Sequence, residues 1–284
     1  MDFTVLVENE QDNGDLRAEH GISIWIETAA ARILFDTGAS SAFAENAERL
    51  GIRIEDADAL VLSHAHADHT GGLRTFFELN THAPVFAGRG ITTPRYSESG
   101  GNTRSIGLDT ELWAAHRDRI REVDDVARVA PGVGVSRVSE RPHPTPSGNR
   151  HLYRKTDGEL ELDPFEEELF LWVEQADGIH VVTGCSHSGI ANIVAEAGTH
   201  GAVRGVIGGF HLKGEEEARV RDLARRLSDV PRPDRSVPIL PFADSEKNQS
   251  VFLYCLASEH CVLYLRSALS HSKTSDSCRQ NSCA

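Results

Sequence analysis

Residues 59–72 read Ala-Leu-Val-Leu-Ser-His-Ala-His-Ala-Asp-His-Thr-Gly-Gly and join an apolar run to a dense group of metal-binding side chains. The run at 59–62 predicts a short buried strand. Three histidines and an aspartate follow it: His64, His66, Asp68 and His69. Imidazole nitrogens and carboxylate oxygens are common ligands of zinc, manganese and iron. A polar loop with accidental histidines is the alternative, but this spacing directly behind a strand favours a metal site.

The spacing within this group indicates two binding positions. In an extended segment His64 and His66 point to the same side, because alternate residues of a strand share a face. Asp68 and His69 follow where the chain turns, so they can serve a second ion beside the first.

The pattern His-x-His-x-Asp-His after a strand resembles the signature of the metallo-β-lactamase superfamily. Residues 33–38, Ile-Leu-Phe-Asp-Thr-Gly, are similar to a strand end of that superfamily. Three more segments resemble the branch that includes 7,8-dihydropterin-6-methyl-4-(β-D-ribofuranosyl)aminobenzene-5′-phosphate synthase. They are Glu-His-Gly-Ile-Ser at 19–23, Thr-Gly-Cys-Ser-His-Ser-Gly-Ile at 183–190 and Ile-Gly-Gly-Phe-His-Leu at 207–212. The resemblance runs from about residue 3 to about residue 212.

The resemblance implies an α/β fold, a four-layer α/β/β/α metallo-β-lactamase-like sandwich. The order strand, loop and helix recurs three times and favours the same arrangement of two mixed sheets with helices outside. The resemblance also implies that Asp36, at a strand end, supports the metal ligands from behind. A turn or cap residue is the alternative for Asp36.

Two further histidines complete the expected ligand set. His187 and His211 each follow glycines just beyond a predicted strand, where small residues let the backbone approach a ligand. Each alone is as easily structural as ligating. With the first cluster they give one set on each of two ions: His64, His66 and His187 on the first, and Asp68, His69 and His211 on the second.

Cys185 is a further candidate ligand. The superfamily usually has an additional aspartate that bridges the two ions, and none stands in the expected place. Cys185 ends the predicted strand before His187, and a thiolate is a competent soft ligand. A buried, inert thiol is the equal alternative.

These residues predict an enzyme with two divalent metal ions as cofactors, zinc first and manganese or iron as alternatives. We expect a hydrolase whose metal-activated hydroxide attacks a small phosphorylated or ester metabolite, with Asp68 as the catalytic residue that also binds metal. The branch implies an alternative, a dihydropterin-condensing synthase, which is a transferase of pterin cofactor biosynthesis. A non-catalytic metal-binding module is a third alternative, which the missing bridging aspartate keeps open.

Composition limits the partners. The net charge of −14 argues against nucleic acid, since proteins that bind phosphate backbones gather cations. No apolar run is long enough to cross a membrane, and the first residues lack a signal segment. We therefore expect a cytoplasmic protein with a small-molecule substrate and neither a nucleic-acid nor a membrane partner. The five cysteines, an odd number, do not suggest a disulfide framework.

We expect one metallo-β-lactamase-like domain over residues 1–247 and a divergent tail over 248–284. The tail is rich in serine and holds four of the five cysteines. Residues 251–256 and 261–265 are candidate edge strands. From Ser270 onward we expect disorder, and we do not expect His260 to bind metal.

Local patterns around the metal motif predict a helix over residues 40–50 with Phe43, Ala47 and Leu50 on one face. Thr70 is expected to cap the helix that follows the motif.

The segment at 88–107 is rich in Gly, Ser, Thr and Arg and predicts a loop, solvated or facing a phosphate. His143, His151 and His180 are expected at the surface or in structural roles rather than as ligands.

Overall fold

The structure is a computed structural model that describes residues 1–10, 14–228 and the strand at 251–255. The strands of these residues, in chain order, are β1 (Asp2–Val7), β2 (Ser23–Glu27), β3 (Arg32–Phe35), β4 (Ala59–Val61), β5 (Val85–Gly88), β6 (Arg95–Ser99), β7 (Asn102–Ser105), β8 (Ile120–Val123), β9 (Val126–Ala130), β10 (Val133–Arg137), β11 (Leu152–Thr156), β12 (Glu159–Leu162), β13 (Leu169–Gln175), β14 (Gly178–Thr183), β15 (Val203–Gly209) and β16 (Val251–Cys255). The α-helices are α1 (Ala42–Arg49), α2 (Ala67–Thr70), α3 (Leu73–Leu79), α4 (Thr110–Ala115), α5 (Ile190–Ala197) and α6 (Glu217–Ser228).

Two mixed sheets of six strands form the body of the fold. The first has the order β1-β2-β3-β4-β5-β8, in which β3, β4, β5 and β8 run parallel. The second has the order β16-β15-β14-β13-β10-β9, in which only the β14–β15 pair is parallel. The parallel strands matter for function, because the loops beyond their carboxyl ends are where α/β proteins gather polar side chains.

Both faces of each sheet are buried, which follows from apolar residues at consecutive strand positions. In β3, Ile33 and Phe35 contribute to a core between the sheets, whereas Leu34 packs against α1 and α3 on the outer side. In β13, Leu171 faces the central core and Phe170 faces the layer of α5 and α6. Three apolar cores between four layers confirm the predicted α/β/β/α sandwich.

The helix predicted at 40–50 is α1, and Gly51 ends it with a φ of 74° that L-residues rarely adopt. Phe43 and Ala47 are buried as expected, but Leu50 is 40% exposed. Leu50 is the C-cap residue, and its N–H still donates to the carbonyl of Asn46 at 3.0 Å. At this helix end its side chain is left exposed, so its predicted place on the buried face was wrong.

Thr70 does not cap the next helix. It is the last residue of α2, and its hydroxyl donates to the carbonyl of His66 at 3.1 Å. Gly72 instead precedes α3. The short helix α2 inside the metal motif has no signal in the hydrophobic pattern, because its four residues are mostly polar.

The loop predicted at 88–107 contains the hairpin of β6 and β7, which belongs to a third sheet of order β12-β11-β6-β7. Arg95 is neither solvated nor open to a phosphate: its side chain is 2% exposed and pairs with Asp163 and Glu167. Polar, exposed strands such as these lack the apolar alternation that reveals a strand in sequence.

At the other end of the chain, β16 pairs antiparallel with β15 at the edge of the second sheet, where residues 251–256 predicted an edge strand. The predictions for residues 261–265, for His260 and for the segment from Ser270 onward lie outside the described residues. The division of the chain near residue 247 stays a prediction. None of the helices in the described ranges is long and apolar enough to cross a membrane.

Candidate metal centre

The two sheets bring their polar loops together at one edge of the sandwich. His64, His66, Asp68 and His69 follow β4 of the first sheet, and Asp36 follows β3 beside it. Cys185 and His187 follow β14 of the second sheet, and His211 follows its parallel neighbour β15. Every candidate ligand therefore lies just beyond a strand that belongs to a parallel pair.

The histidines form a continuous cluster of rings. The ring centroid of His64 lies 4.6 Å from that of His66, 4.2 Å from that of His69 and 4.8 Å from that of His187. The ring of His187 also lies 4.9 Å from that of His66 and 4.5 Å from that of His211. The structure thus brings together all five predicted histidines from three separate loops.

Cys185 lies between two groups of donor atoms. One group contains His64, Cys185 and His187, and the other contains Asp68, His69 and Cys185; within each, the donor atoms lie within 4.8 Å of one another. The Cys185 sulfur is 3.1 Å from Nε2 of His69. Cys185 therefore belongs to both groups of donor atoms.

Four ring nitrogens in this cluster are buried without a hydrogen-bond partner among the described residues. They are Nε2 of His64, His66 and His187, and Nδ1 of His211. A buried nitrogen without a partner costs free energy, on the order of 1–3 kcal/mol, so such atoms are rare unless something else satisfies them. Their convergence fits divalent metal ions, for which neutral imidazole is a common ligand.

The opposite ring nitrogens are held by protein groups. Nδ1 of His64 lies 2.9 Å from Oγ of Ser63, and Nδ1 of His187 lies 2.9 Å from Oδ1 of Asn149. Such partners fix the tautomer and the orientation of a ligating imidazole.

Asp36 holds the first-sheet loop from behind. Its Oδ2 lies 2.7 Å from Nδ1 of His69 and accepts the Ser63 hydroxyl at 2.6 Å, while Oδ1 accepts the Ser63 amide at 2.7 Å. Asp36 is fully buried and has a φ of 56°. Asp36 therefore fixes the positions of Ser63 and His69, and its role behind the metal ligands stays a prediction.

Residues 17–199 match the sequence model of the metallo-beta-lactamase superfamily. The chain belongs to the metallo-β-lactamase superfamily.

Within the superfamily, two relatives come from Methanocaldococcus jannaschii. The chain is 31% identical over 250 residues to 7,8-dihydropterin-6-methyl-4-(β-D-ribofuranosyl)-aminobenzene-5′-phosphate synthase. The matched region covers 80% of this chain and 83% of that protein. The chain is also 33% identical over 200 residues to an uncharacterized protein, and this matched region covers 69% of this chain and 74% of that protein.

A solved structure supports the same membership. The crystal structure of Tm1679, described as a metal-dependent hydrolase of the β-lactamase superfamily, superposes with a TM-score of 0.68 and 27% sequence identity. The match covers 80% of this chain and 83% of that one.

Burial keeps most imidazoles of the histidine cluster neutral. It lowers the pKa of His66 to about 3 and the pKa values of His64, His187 and His211 below their ordinary value, and the neighbouring rings lower those of His64 and His187 further. A neutral imidazole keeps the lone pair that a metal ion needs.

His69 and Asp68 differ from these imidazoles. Burial alone would lower the pKa of His69, but Cys185, Asp68 and Asp36 outweigh it and raise this pKa well above its ordinary value. Burial would raise the pKa of Asp68, yet the imidazoles of His69, His66 and His20 outweigh it, so the Asp68 carboxyl has a lowered pKa. Asp68 is therefore an anion at neutral pH.

Phe165 forms one wall of the site. Its ring stacks on His187 with centroids 4.0 Å apart and planes 7° apart, and it meets His66 edge-on at 5.6 Å. Phe165 is buried and has a φ of 51°, a conformation that a non-glycine residue adopts only when its surroundings enforce it.

Sequence reasoning missed three of the residues that shape the site: Phe165, Asn149 and Glu168. The buried carboxylate of Glu168 accepts the backbone N–H groups of His187 at 2.7 Å and Ser188 at 2.6 Å, which fixes the loop that carries His187. The acidic run at 166–168 was the only signal, and nothing in it separates Glu168 from its exposed neighbour Glu166.

Three other histidines are predicted to lie outside the ligand set, His143 and His151 at the surface and His180 in a structural role. His151 is exposed, and His180 is half-buried in β14 with its ring 6.4 Å from that of Phe3. His143 is half-buried, and its backbone N–H donates to Asn192.

Proposed function

We propose that this chain is a metal-dependent hydrolase that acts on a small phosphorylated or ester metabolite. The observation that carries the proposal is the convergence of four buried imidazole nitrogens, which have no hydrogen-bond partner in the described part of the chain, with Asp68 and Cys185. A purely structural histidine cluster would pair these nitrogens with protein groups.

The proposed ligands of two divalent ions are the predicted ones: His64, His66 and His187 for the first, and Asp68, His69 and His211 for the second. Cys185 is the proposed shared donor, because it belongs to both compact groups of donor atoms. Zinc suits this set of nitrogen, oxygen and sulfur donors best, with manganese or iron as alternatives.

Bound ions would supply Lewis acidity, which lowers the pKa of water and stabilises negative charge on a substrate oxygen. The chain's own residues do the rest. Asp68 is an anion with 20% of its side chain exposed, so its Oδ2 can orient an attacking water and accept its proton. Phe165 excludes bulk water from the side of His66 and His187, which strengthens electrostatic interactions inside the site.

The second candidate is a dihydropterin-condensing synthase, and the 31% identity to the methanogen synthase over most of both chains favours it. Such a reaction needs a pocket for a flat heteroaromatic ring. A cavity of about 230 Å³ lies between α5, α6 and the loop around Pro144, and Phe210 and Leu212, which flank His211, contribute apolar walls.

A substrate panel tests both candidates. Protein loaded with zinc or manganese is assayed on phosphodiester, phosphomonoester and carboxylic ester substrates, and on a dihydropterin pyrophosphate mixed with a ribosyl aminobenzene phosphate. Hydrolysis that requires metal and is lost in Asp68→Asn supports the hydrolase. Accumulation of a joined product supports the synthase. Metal binding without turnover on any substrate would leave the non-catalytic module as the better description.

A further inference from the structure

His20 lies at the rim of the metal centre and belongs to the segment 19–23, which the proposed function does not use. Its Nε2 is 3.4 Å from Oδ2 of Asp68. Nε2 of His69 is 3.5 Å from the same oxygen. The imidazole of His20 is 59% exposed, so it approaches Asp68 from the solvent side, whereas His69 approaches from the interior.

Asn9 fixes the tautomer of His20. The backbone N–H of Gly21 donates to Oδ1 of Asn9 at 3.3 Å, which identifies that atom as the amide oxygen. Nδ1 of His20 lies 3.0 Å from the same oxygen and must therefore be the protonated nitrogen. In the neutral ring, Nε2 then carries a lone pair, and this lone pair faces Asp68.

The backbone around His20 is built to hold it there. The carboxylate of Glu19 accepts the N–H groups of Ala39 and Ser40 at 2.9 and 3.1 Å and the Ser40 hydroxyl at 2.5 Å. Gly21 has a φ of 119°, and a Cβ at this position would lie 1.8 Å from the carbonyl oxygen of Asp68. Only glycine permits this approach. Both neighbours of His20, Glu19 and Gly21, therefore help to hold its backbone beside Asp68.

A lone pair on Nε2 and a carboxylate oxygen repel each other at this distance unless a cation lies between them or His20 takes a proton. Neighbouring ligand atoms on one ion, each at about 2.0–2.2 Å and at angles of about 90–120°, lie about 2.8–3.8 Å apart. The separations from Asp68 Oδ2 to His20 and to His69 both fall in this interval.

We propose that His20 is an additional ligand of the ion held by Asp68 and His69, bound through Nε2 from the solvent side. The inference rests on the proposed metal site. It extends the ligand set of the second ion by a residue from the loop between β1 and β2, outside all three loops described above.

Calorimetric titration of metal-free protein with zinc tests the proposal without any activity assay. We expect His20→Ala to bind the first equivalent as the parent does and the second at least about tenfold more weakly. Asn9→Ala keeps the imidazole but removes its orientation, so a smaller loss is expected. The matched control is His82→Ala, because His82 is an exposed histidine on another loop; it should behave as the parent.

Nitrogen NMR of the histidine rings gives an independent reading. Addition of the second zinc equivalent should shift the Nε2 resonance of His20, while its Nδ1 resonance keeps the character of a protonated nitrogen. The alternative is that a protonated His20 forms only an ion pair with Asp68. In that case both ring nitrogens of His20 are protonated before metal is added, and metal binding breaks the ion pair. That pattern overturns the proposal.

The remaining outcomes are equally decisive. If the parent binds two ions and His20→Ala binds both with parent affinity, the His20 proposal is wrong and the metal site stands. If the parent binds no second ion, the His20 proposal fails together with the two-ion part of the proposed function.

Discussion

Asp68 differs from the side chains around it because it is charged and reaches solvent. The imidazoles of His64, His66 and His187 beside it are buried and have lowered pKa values. Asp68→Asn keeps the shape of the side chain but removes the negative charge and the proton acceptor. At saturating metal we expect kcat/KM to fall at least about a hundredfold. The fold should be retained, because asparagine has nearly the same shape as aspartate and Asp68 is partly exposed in the short helix α2.

Steady-state kinetics on the best substrate of the panel, with unfolding curves of both proteins, measures this effect. Asp118→Asn is the control, since Asp118 is an exposed acid away from the site. Parent-like turnover of Asp68→Asn would remove Asp68 from the chemistry.

His211 is the predicted ligand that lies farthest along the chain from the first cluster. Its Nδ1 is buried without a partner among the described residues. Gly148 packs closely against its ring, since a Cβ at that position would lie 2.6 Å from the ring. We expect His211→Ala to lower bound metal from about two ions per chain towards about one, with the fold retained. Metal analysis after dialysis checks this, with His151→Ala as the exposed control. Unchanged metal content would make His211 structural.

The buried imidazoles should make the metal-free protein sensitive to acid. In the folded state the pKa of His66 is about 3, whereas an unfolded histidine titrates near about 6.5. Between these values the unfolded chain binds a proton that the folded chain does not. The free energy of unfolding therefore falls as the pH drops through this window, by about 1.4 kcal/mol per pH unit for one group.

Urea unfolding of metal-free protein at several pH values measures this slope. His66→Gln removes one titrating group and should give a shallower slope than the parent. A stability that is independent of pH in this window would contradict a buried, neutral His66.

At the scale of elements, β6 is tied to the segment that carries the Phe165 wall by a buried ion cluster. The guanidinium of Arg95 contacts Asp163 at 2.5 Å and Glu167 at 2.8 Å, and both carboxylates are buried. Phe165 lies between these two acids in sequence. Removal of Arg95 would leave two buried acids without their cation, and burial already raises the pKa of Glu167 to about 7.

We therefore expect Arg95→Met to lower the free energy of unfolding by about 3–5 kcal/mol. Adding Asp163→Asn and Glu167→Gln should recover part of the loss, because the acids no longer need a partner. Arg104→Met on the neighbouring strand is the control, since Arg104 is exposed. Equal stability of Arg95→Met and Arg104→Met in urea would show that the cluster adds nothing.

At the scale of the whole molecule, the proposed ligands come from both sheets. His64, His66, Asp68 and His69 follow a strand of the first sheet, whereas Cys185, His187 and His211 follow strands of the second. Ions bound by both sets would join the two halves of the sandwich. Because only the folded chain presents all of these ligands, metal should stabilise it by mass action.

Chelation should accordingly lower the melting temperature, and metal at about 100 times its dissociation constant should raise the free energy of unfolding by about 2.7 kcal/mol. Differential scanning calorimetry with a chelator, and again after zinc is restored, measures this. In His64→Ala the difference between the two conditions should shrink. An identical melting temperature with and without metal would rule out a metal that joins the sheets.

The sequence alone determined the superfamily, the sandwich and the identity of the candidate ligands. These features depend on contiguous patterns: apolar runs that end in His64–Asp68–His69, in Thr-Gly-Cys-Ser-His and in Gly-Gly-Phe-His. Strand periodicity and ligand chemistry are local properties, so they survive without coordinates. The same local reasoning was wrong for Leu50, Thr70 and the 88–107 segment, where a helix end, a polar helix and exposed strands leave little apolar signal.

Only the tertiary structure decided how these segments meet. It placed Cys185 within reach of both donor groups, Phe165 on His187, Arg95 between two buried acids and His20 against Asp68. These contacts join segments that are distant in sequence: His20 lies 48 residues before Asp68, and His64 lies 121 residues before Cys185. Burial and distance between such groups arise from the packing of two sheets, which no window of sequence contains.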